Sequence, residues 1–487
     1  MLLSKTDYIL GMECEKALWL IKHHPELVPD ADAMLQRRFD IGYEVQELAR
    51  KLFPTGKLVS EGDLQYLAYK TKKMSEENRI LFEATAMLSD KAFCRIDIME
   101  REGNAWNLIE IKSATKVKEN YINDLAFQKY VFENAGYKIN RVKVIYLNKF
   151  YIRHGALDIR ELFVIEDISL LVDKIYADVA YNIDVLRQIV EQDTEPMVLQ
   201  HKVKPCKECC FKAYCRQKLP DYPAFKLFYY DRDWQKFFAQ YNTYFVENIP
   251  DSYKLSPKEI IDKRAYLSGQ IHVEPQKIRE WLNELEYPLY YLDYETAQLA
   301  VPLFDNTKTY QQIPFQFSLH IQKIKGGELK HIGFLHKDCS DPRRAIAEYL
   351  VNNCGTKGSV IVYHKNFEQC RNNELAAAFP DLSAQLLDIN ERVVDLEDVF
   401  KNRWLYSPKQ NSSASIKYVL PAFCDLSYQG MEIANGGEAM SQYEAFLKGR
   451  QTPVETANMF AALEKYCAQD TLAMVKLMEV LYQYAEN

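Results

Sequence analysis

The segments KAFCRIDIM (91–99) and WNLIEIKSA (106–114) decide the fold of the N-terminal part of this chain. Each is an apolar run rich in β-branched and aromatic residues, and a turn-prone Gly-Asn pair lies between them, so together they predict a β-hairpin. Because side chains alternate along a strand, Glu110 and Lys112 project from the same side of the second strand. Asp97 lies on the partner strand, within reach of both.

This hairpin is a candidate metal site. Two carboxylates can hold Mg²⁺ through oxygen ligands while a lysine positions or activates an attacking water. The next segment, DLAFQKYVFENAG (124–136), has a helical pattern that ends at Gly136, and Gln128 on this helix could orient the site. The alternative is a structural ion pair within the hairpin, since an E-x-K tripeptide occurs on many exposed strands.

The composition limits the class of protein. A length of 487 residues predicts two or three domains. Hydrophobic residues make up 48% of the chain and charged residues 26%, which excludes disordered and low-complexity classes. We expect no membrane segment, because no apolar run approaches the ~20 residues of a bilayer-spanning helix. The early charges in MLLSKTDYILGMECEKALW (1–19) do not fit a secretory signal, so we expect a cytoplasmic protein.

Four cysteines crowd into CKECCFKAYC (206–215), which contains a C-x2-C-x5-C pattern. The pattern consists of Cys206, Cys209 and Cys215. Cys210 is a spare, and Cys14 near the start of the chain is the candidate for a fourth ligand. Thiolates are soft ligands that suit zinc or an iron–sulphur cluster, although a lone C-x2-C could also be redox-active or incidental. A metal ion or cluster bound by Cys14, Cys206, Cys209 and Cys215 would join the ends of the first domain, so the predicted role is structural.

The order of these motifs resembles the RecB-like nucleases that carry an iron–sulphur cluster, among them the CRISPR-adaptation exonucleases and the AddB-type helicase–nucleases. The resemblance covers roughly residues 1–220, and its motifs in chain order are Cys14, Asp97, Glu110-Ile111-Lys112, Gln128 and the C-x2-C-x5-C pattern. It implies a PD-(D/E)XK fold, Mg²⁺ or Mn²⁺ at Asp97 and Glu110, and a Lys112 that assists the water attacking a phosphodiester. It also implies a [4Fe–4S] cluster, with zinc as the alternative, on Cys14, Cys206, Cys209 and Cys215.

Three features depart from that family, and one of them is the Gln128-to-Tyr130 spacing, which is tighter than the family's usual Gln-to-Tyr spacing. Where the family often has a metal-binding His in a G-x3-H motif, GYEVQELA offers Gln46 after Gly42. Glutamine is the poorer ligand, so we expect reduced metal affinity or activity. Ile96 takes the place of the usual Pro before the first Asp, which is a tolerable change.

The segment YPLYYLDYETA (287–297) predicts a buried strand that carries a pair of acids. The D-x-E spacing places Asp293 and Glu295 on one face of this apolar strand. Bare carboxylates are costly to bury unless a cation compensates them, and two divalent metal ions would do so. D-x-E is nevertheless a common tripeptide.

The helix predicted over 457–481 adds a third acid. Asp470 falls on its apolar stripe, one turn after Tyr466, so it could bind metal while the Tyr466 hydroxyl orients a water; pairing of Asp470 with a lysine is the alternative. The fourth carboxylate is Glu368 in SVIVYHKNFEQC or Asp395 in RVVDLEDVF, and spacing does not separate the two. Two metal ions ~3.5–4 Å apart, held by four carboxylates, would stabilise both oxygens of a phosphoryl transfer.

These acids resemble the RNase H-like exonucleases of the DEDDy type. There the first motif is D-x-E on the first strand, matched by Asp293 and Glu295, and the third is Tyr-x3-Asp, matched by Tyr466 and Asp470. The second motif usually ends in Asp, whereas this chain has Glu368, whose extra methylene could shift a metal ion. With TYQQIPFQFSLHI and IKYVLPAF, the whole chain is similar to a bacterial family of unknown function that joins a RecB-like nuclease to such an exonuclease domain.

The sequence therefore predicts an α/β protein in three parts. We expect a RecB-like PD-(D/E)XK domain at 1–222, a helical connector at 223–286 and an RNase H-like domain at 287–487. The resemblances imply a metal-dependent exonuclease with two active sites that acts on single-stranded DNA, and some connector aromatics could stack on unpaired bases. Two alternatives stay open: a nucleic-acid-binding or scaffold protein with inactive sites, favoured by Gln46 and Glu368, and an RNA-processing 3′–5′ exonuclease.

Overall fold

The computed structural model describes residues 1–200 and 206–486, and the chain divides into two compact units. The first unit comprises Met1–Lys218 with Leu299–Gln311, and the second comprises Leu219–Gln298 with Gln312–Asn487. Each unit mixes helices and strands, in agreement with the predicted α/β class. Where the sequence predicts three parts, the contacts divide the chain into two, and residues 223–286 belong to the second unit.

One segment from the C-terminal half, residues 299–311, belongs to the first unit by its contacts. The Thr309 hydroxyl donates a hydrogen bond to the Asn148 carbonyl at 3.0 Å. The Tyr310 hydroxyl donates to the Ser113 carbonyl. Local sequence patterns do not predict such contacts, because they join a loop to residues far away along the chain.

The strands of the first unit form a mixed sheet in the order β1-β2-β3-β4-β5-β6. Their bounds are β1 Lys57–Leu58, β2 Ile80–Leu88, β3 Ala92–Glu102, β4 Ala105–Lys112, β5 Ile139–Leu147 and β6 Phe163–Asp167. β1 is parallel to β2 and β4 to β5, and the other neighbours are antiparallel. The predicted hairpin is confirmed as β3 and β4, joined at Gly103, whose φ of 61° lies in the left-handed region that glycine tolerates.

Helices cover both faces of this sheet. Their bounds are α1 Lys5–Glu13, α2 Glu15–His23, α3 Ala33–Arg50, α4 Leu64–Glu77, α5 Glu119–Asn134, α6 Ile159–Leu162, α7 Ser169–Tyr176, α8 Val179–Glu191 and α9 Lys212–Arg216. Val45 of α3 packs in one core with Ile109 and Ile111 of β4. Leu108 of β4 packs in a separate core with Leu125 of α5. Alternation along β4 thus gives each face of the sheet its own core.

The main sheet of the second unit has the order β10-β9-β8-β11-β12, with β8 at its centre. The strands of this unit are β7 His272–Val273, β8 Leu289–Ala297, β9 Ile313–Gln322, β10 Leu329–Leu335, β11 Val360–Val362, β12 Val393–Asp395 and β13 Leu405–Tyr406. β8 is antiparallel to β9 and parallel to β11; β9 is antiparallel to β10, and β11 is parallel to β12. β7 and β13 form a separate antiparallel pair. The strand predicted over 287–297 is confirmed as β8.

Helices pack on both faces of the main sheet of the second unit, and ten α-helices of this unit lie in the described ranges. They are α10 Asp231–Tyr241, α11 Pro257–Ser268, α12 Pro275–Asn283, α13 Arg343–Asn353, α14 Lys365–Ala378, α15 Ser383–Glu391, α16 Glu397–Lys401, α17 Ile416–Phe423, α18 Gly436–Leu447 and α19 Pro453–Glu486. Leu292 and Tyr294 of β8 face a core with α13, α14 and α15. The opposite face of β8, which carries Asp293 and Glu295, meets α19. Within the described ranges no helix, including the 34-residue α19, combines the length and apolar character needed to cross a membrane.

The predicted connector, residues 223–286, contains α10, α11 and α12 and is largely helical. Trp234 and Phe237 of α10 are fully buried in an aromatic core. Tyr229 and Tyr230, just before α10, are exposed. Trp234 and Phe237 therefore stabilise the unit, whereas the rings of Tyr229 and Tyr230 are accessible to a ligand.

Candidate functional site

The acidic group on β3 and β4 is called the hairpin cluster, and it contains the predicted residues Asp97, Glu110, Lys112 and Gln128. Lys112 Nζ lies 2.9 Å from Glu110 Oε1, so the two side chains share one side of β4. Gln128 of α5 donates from Nε2 to Glu110 Oε2 at 3.0 Å. Asp97 Oδ2 accepts a hydrogen bond from the backbone N–H of Ile111 at 2.7 Å. The structure brings all four residues together.

Two charged residues that the sequence analysis missed complete this cluster. Lys5 of α1 places Nζ 2.6 Å from Glu110 Oε1. Asp124 Oδ2 lies 2.7 Å from Lys112 Nζ, and its Oδ1 accepts a hydrogen bond from Gln128 at 2.8 Å. Asp124 could have been found, because it lies one helical turn before Gln128. No local sequence pattern predicts the contact of Lys5 with Glu110, since the two residues are 105 positions apart.

Gln46 lies at the position where the resembling family often has His, and it reaches Asp97. Its Nε2 donates to Asp97 Oδ1 at 2.9 Å and to Glu83 Oε1 at 2.6 Å. Arg50, one turn later on α3, forms an ion pair with Glu83. The φ of Glu83 is 56°, a left-handed conformation that non-glycine residues rarely adopt and that concentrates at functional sites. Glu83 is thus a further carboxylate near Asp97 that the sequence analysis missed.

Burial and neighbouring charges act differently on the two central carboxyls. Burial, together with the charge of Glu110, raises the pKa of Asp97 to about 7. Burial also opposes ionisation of Glu110, but the ammonium groups of Lys112 and Lys5 outweigh it and hold that pKa at about 2. Burial lowers the pKa of both lysines, yet Glu110 and Asp124 raise it above its ordinary value on balance. The negative charge of Glu110 is therefore compensated by lysine side chains of the protein itself, and the carboxylate stays ionised.

The second acidic group is called the β8 cluster, and it contains Asp293, Glu295, Glu368, Tyr466 and Asp470. Asp293 and Glu295 of β8 line a cavity of about 310 Å³ together with Tyr466 and Asp470 of α19. Glu368 of α14 is 1% exposed, and its charge acts on both Asp293 and Glu295. All five predicted residues thus belong to one electrostatic group.

Glu368, and not Asp395, is the acid that remains available to this cluster. The Asp395 carboxylate accepts hydrogen bonds from the backbone N–H groups of His364 and Lys365, both at 2.9 Å, and so caps the start of α14. Glu368 Oε2 is buried without a hydrogen-bond partner among the residues that the structure describes. An unpaired buried carboxylate oxygen is costly unless a cation compensates it.

Two phenols hold Asp470 in place. The Tyr428 hydroxyl donates to Asp470 Oδ1 at 2.5 Å, and Tyr466 also hydrogen-bonds to this carboxylate. Burial and the Asp470 charge raise the pKa of both tyrosines far above the ordinary value, so both stay protonated and act as donors. Tyr428 was missed because it lies in an irregular segment 42 positions before Asp470.

The β8 cluster has little positive charge to offset its acids. Burial, followed by the charges of the neighbouring acids, raises the pKa of Asp293 and Glu295 well above the ordinary value. Burial raises the pKa of Glu368 to about 8 and that of Asp470 to about 6. Lys417 of α17 lines the cavity and acts on Asp470 and Glu295, but burial lowers its own pKa. Lys417 was not among the site residues predicted from the sequence.

Cys467 also belongs to the β8 cluster. Its Sγ lies 3.9 Å from Asp293 Oδ2, and the ligand atoms of Asp293, Glu295 and Cys467 all lie within 4.8 Å of one another. Cys467 was not among the site residues predicted from the sequence. Its position between Tyr466 and Asp470 on one helix was the signal that could have found it.

The predicted cysteine ligands surround a small apolar cavity in the first unit. They are Cys14, Cys206, Cys209 and Cys215. The thiols are free, and Cys210 is exposed, as expected of a spare. No three of these four sulphurs, all within the described part of the chain, lie within 4.8 Å of one another.

Comparison with known proteins gives one family match. Residues 290–415 match the family described as "Domain of unknown function (DUF2779)". The matched range contains Asp293, Glu295 and Glu368, whereas Tyr466 and Asp470 lie beyond it.

Two curated relatives are similar over part of the chain. "Uncharacterized protein MG366" of Mycoplasma genitalium is 25% identical over 221 residues, which is 42% of this chain and 33% of that protein. "Uncharacterized protein MG366 homolog" of Mycoplasma pneumoniae is 25% identical over 230 residues, 43% of this chain and 34% of that protein. The matched stretch therefore spans about a third of the length of these relatives. The chain is similar to this domain family and to these two proteins, and none of the three descriptions states an activity.

Proposed function

We propose that this chain is a metal-dependent nuclease whose principal catalytic centre is the β8 cluster. The observation that carries the proposal is the convergence of four carboxylates, namely Asp293, Glu295, Glu368 and Asp470, in surroundings that raise their pKa values. A protein does not gain stability by crowding ionisable acids into a buried site. Divalent cations with oxygen ligands supply the missing charge.

The residues of the cluster have distinct proposed roles. The four carboxylates would hold two ions, Mg²⁺ or Mn²⁺, which when bound stabilise the attacking and leaving oxygens of a phosphodiester. Tyr466, whose hydroxyl hydrogen bonds to Asp470, would orient the attacking water by accepting a hydrogen bond from it at the phenol oxygen. Tyr428 fixes the Asp470 carboxylate by donating to Oδ1. Lys417 brings positive charge to the cavity wall, where it attracts a phosphate oxygen.

The order of elements supports an RNase H-like exonuclease domain of the DEDDy type. The D-x-E pair lies on β8, which is the first strand of the five-stranded sheet in chain order and its central strand in space. Glu368 lies in the first turn of the helix that follows β11. Tyr466 and Asp470 lie on the last helix, α19. This is the order that the resemblance implies, with Glu368 at the place of the usual Asp.

The hairpin cluster is a second proposed centre, of the PD-(D/E)XK type, with Asp97 and Glu110 as metal ligands and Lys112 beside them. Its own charges make it the weaker candidate. Lys5 and Lys112 both contact Glu110 Oε1, so a metal ion at Glu110 would have to displace Lys5. This observation favours the alternative in which the hairpin cluster binds nucleic acid or stabilises the fold without cleaving.

Helix α3 supports a single-stranded substrate for the first unit. Leu35, Phe39 and Tyr43 are exposed and lie on one face of the helix, with Tyr43 67% exposed. Gln46 and Arg50 continue the same face at helical spacing and contact Glu83. An exposed aromatic stripe that leads to an acidic site offers unpaired bases a surface for stacking.

A cleavage assay tests the proposed function. End-labelled single-stranded DNA and RNA of the same sequence are incubated with the protein and Mg²⁺ or Mn²⁺. We expect shortening of the DNA that a chelator abolishes and that Asp293→Asn abolishes as well. The exposed Asp381→Asn serves as the matched control and should cleave like the wild type. Unchanged cleavage by Asp293→Asn would remove the β8 cluster from the proposal, and preferential cleavage of RNA would favour the RNA-processing alternative.

We also propose that Cys14, Cys206, Cys209 and Cys215 hold a [4Fe–4S] cluster, with zinc as the alternative. Lys16 is 7% exposed, and its charge acts on Cys14 and Cys215, which suits a cluster ligated by negative thiolates. The test is anaerobic purification followed by visible absorption and metal analysis. Broad visible absorption with iron and sulphide would support the proposal; a colourless protein with one zinc ion would contradict it. Cys14→Ser should lose the metal, and Cys210→Ser should keep it.

A further inference from the structure

The β8 cluster contains a ligand type that Mg²⁺ does not use. Cys467 Sγ lies 3.9 Å from both Asp293 Oδ2 and the Asp293 carbonyl oxygen. We infer that Asp293, Glu295 and Cys467 form a binding position for a zinc-class ion, Zn²⁺ or Cd²⁺, that competes with the hard ions of the proposed hydrolysis. The competition rests on the proposed function, whereas the binding itself does not.

The geometry fits a three-ligand zinc site. In a tetrahedral site with Zn–S of ~2.3 Å and Zn–O of ~2.1 Å, sulphur and oxygen lie about 3.6 Å apart. The observed separation of 3.9 Å between Cys467 Sγ and Asp293 Oδ2 is only slightly longer. The ligand atoms of all three residues lie within 4.8 Å of one another. Three protein ligands leave a fourth position open for water or a phosphate oxygen.

The surroundings of Cys467 also point to a cation. Cys467 is fully buried on the face of α19 that carries Asp470. Glu368 Oε2, buried and without a partner in the described ranges, belongs to a carboxylate whose charge acts on Asp293 and Glu295. A divalent ion relieves this repulsion, and the thiolate gives Zn²⁺ or Cd²⁺ a soft ligand that Mg²⁺ does not favour. Binding releases the thiol proton to solvent, because the thiolate is the ligand.

Sharing of ligands makes the site a point of inhibition. A zinc-class ion bound to Cys467 would occupy Asp293 and Glu295, which the proposed reaction needs for Mg²⁺ or Mn²⁺. Nitrogen, oxygen and sulphur sites generally bind Zn²⁺ more tightly than Mn²⁺. Low concentrations of Zn²⁺ should therefore suppress cleavage in the presence of excess Mg²⁺.

Cadmium titration of the full chain tests the binding without nucleic acid. Sulphur-to-cadmium charge transfer in the ultraviolet is recorded for the wild type, Cys467→Ser, Asp293→Asn and Cys354→Ser. Besides any cadmium bound by Cys14, Cys206, Cys209 and Cys215, the wild type should show a binding step that Cys467→Ser lacks. Cys354→Ser, another buried thiol of the same unit, should keep this step. Asp293→Asn retains the thiol and should weaken the step at least about tenfold, since even outer-shell partners of metal sites contribute that much affinity.

The outcomes separate this inference from the proposed function. Identical cadmium titrations for the wild type and Cys467→Ser would overturn the inference. If Cys467→Ser fails to fold, a cadmium-binding step of unchanged affinity in Asp293→Asn would overturn it instead. A cadmium step in a protein that never cleaves nucleic acid would support the binding position and contradict the nuclease proposal. Cleavage in Mg²⁺ with equal sensitivity of the wild type and Cys467→Ser to Zn²⁺ would overturn the competition alone.

Discussion

The hairpin cluster and the β8 cluster use the same type of side chain and differ in how their charge is compensated. Glu110 lies 2.6 Å from Lys5 and 2.9 Å from Lys112, and its pKa is held at about 2. Glu368 has an unpaired buried oxygen, and burial raises its pKa to about 8. The hairpin cluster therefore carries its own cations, whereas Lys417 does not keep the pKa values of the β8 acids low, and we propose that cations from solution compensate these acids. An acidic motif alone does not reveal this balance.

The largest expected effect separates the two clusters by activity. Asp470→Asn removes a proposed metal ligand from the β8 cluster, so cleavage should fall by about 10²–10³-fold, the loss typical when one group that stabilises transition-state charge is removed. Glu110→Gln should reduce cleavage far less. Rates on end-labelled single-stranded DNA in Mg²⁺ measure both. Equal losses of cleavage in the two variants would contradict the proposed difference between the β8 cluster and the hairpin cluster.

The second prediction concerns pH and the stability of the metal-free protein. The folded-state pKa of Glu368, about 8, lies above the ordinary ~4.3, so the folded chain keeps a proton that the unfolded chain has released. The contribution of Glu368 to the free energy of unfolding is therefore fully present below its unfolded-state pKa of ~4.3. It is lost progressively as pH rises from about 5 to 8. Glu368→Gln should reduce this fall by a few kcal/mol.

Denaturant unfolding in a chelator at several pH values measures this slope. Glu348→Gln, which alters an exposed ion pair of the same unit, is the matched control and should keep the wild-type slope. A Glu368→Gln protein whose stability falls with pH as steeply as that of the wild type would contradict the assigned environment of Glu368.

The third prediction tests the built-in cations of the hairpin cluster. Lys5→Met removes a partner of the buried Glu110 and should cost about 2 kcal/mol of unfolding free energy, the usual contribution of a hydrogen bond to a charged group. Mn²⁺ should restore part of the loss, because Lys5 no longer competes for Glu110. Lys91→Met, which removes an exposed ion pair with Asp184, should cost less than about 0.5 kcal/mol. A Lys5→Met protein of unchanged stability would show that Lys112 alone neutralises Glu110.

The smallest expected effect concerns the surface of α3. Tyr43→Ala should raise the Kd for single-stranded DNA about tenfold through the loss of one stacked base. Binding is measured in the presence of a chelator, so that neither cluster cleaves the DNA. Tyr181→Ala, an equally exposed tyrosine of the same unit, is the control. Equal effects of the two substitutions would exclude α3 from the substrate path.

The sequence predicted the features that depend on short-range periodicity. Alternation along β4 places Glu110 and Lys112 on one side, and the D-x-E spacing does the same for Asp293 and Glu295 on β8. Helical spacing likewise places Asp470 beside Tyr466. These elements are apolar enough that burial on a sheet or against a helix enforces their period.

The remaining features arise from tertiary packing or unusual backbone geometry. Lys5 and Tyr428 reach their acids from segments 105 and 42 positions away, which no local pattern encodes. The left-handed φ of Glu83 occurs inside a strand, where the residue type gives no sign of it. Asp395 differs from Glu368 because the backbone N–H groups of His364 and Lys365 occupy its carboxylate, a tertiary contact that sequence spacing does not encode.

The most direct test is the location of Mn²⁺ by anomalous diffraction from crystals soaked in that ion. Two ions ~3.5–4 Å apart, bound by Asp293, Glu295, Glu368 and Asp470, are the result that our account predicts. The hairpin cluster should bind Mn²⁺ more weakly, since Lys5 must leave Glu110. A β8 cluster without Mn²⁺ beside a fully occupied hairpin cluster would contradict the account.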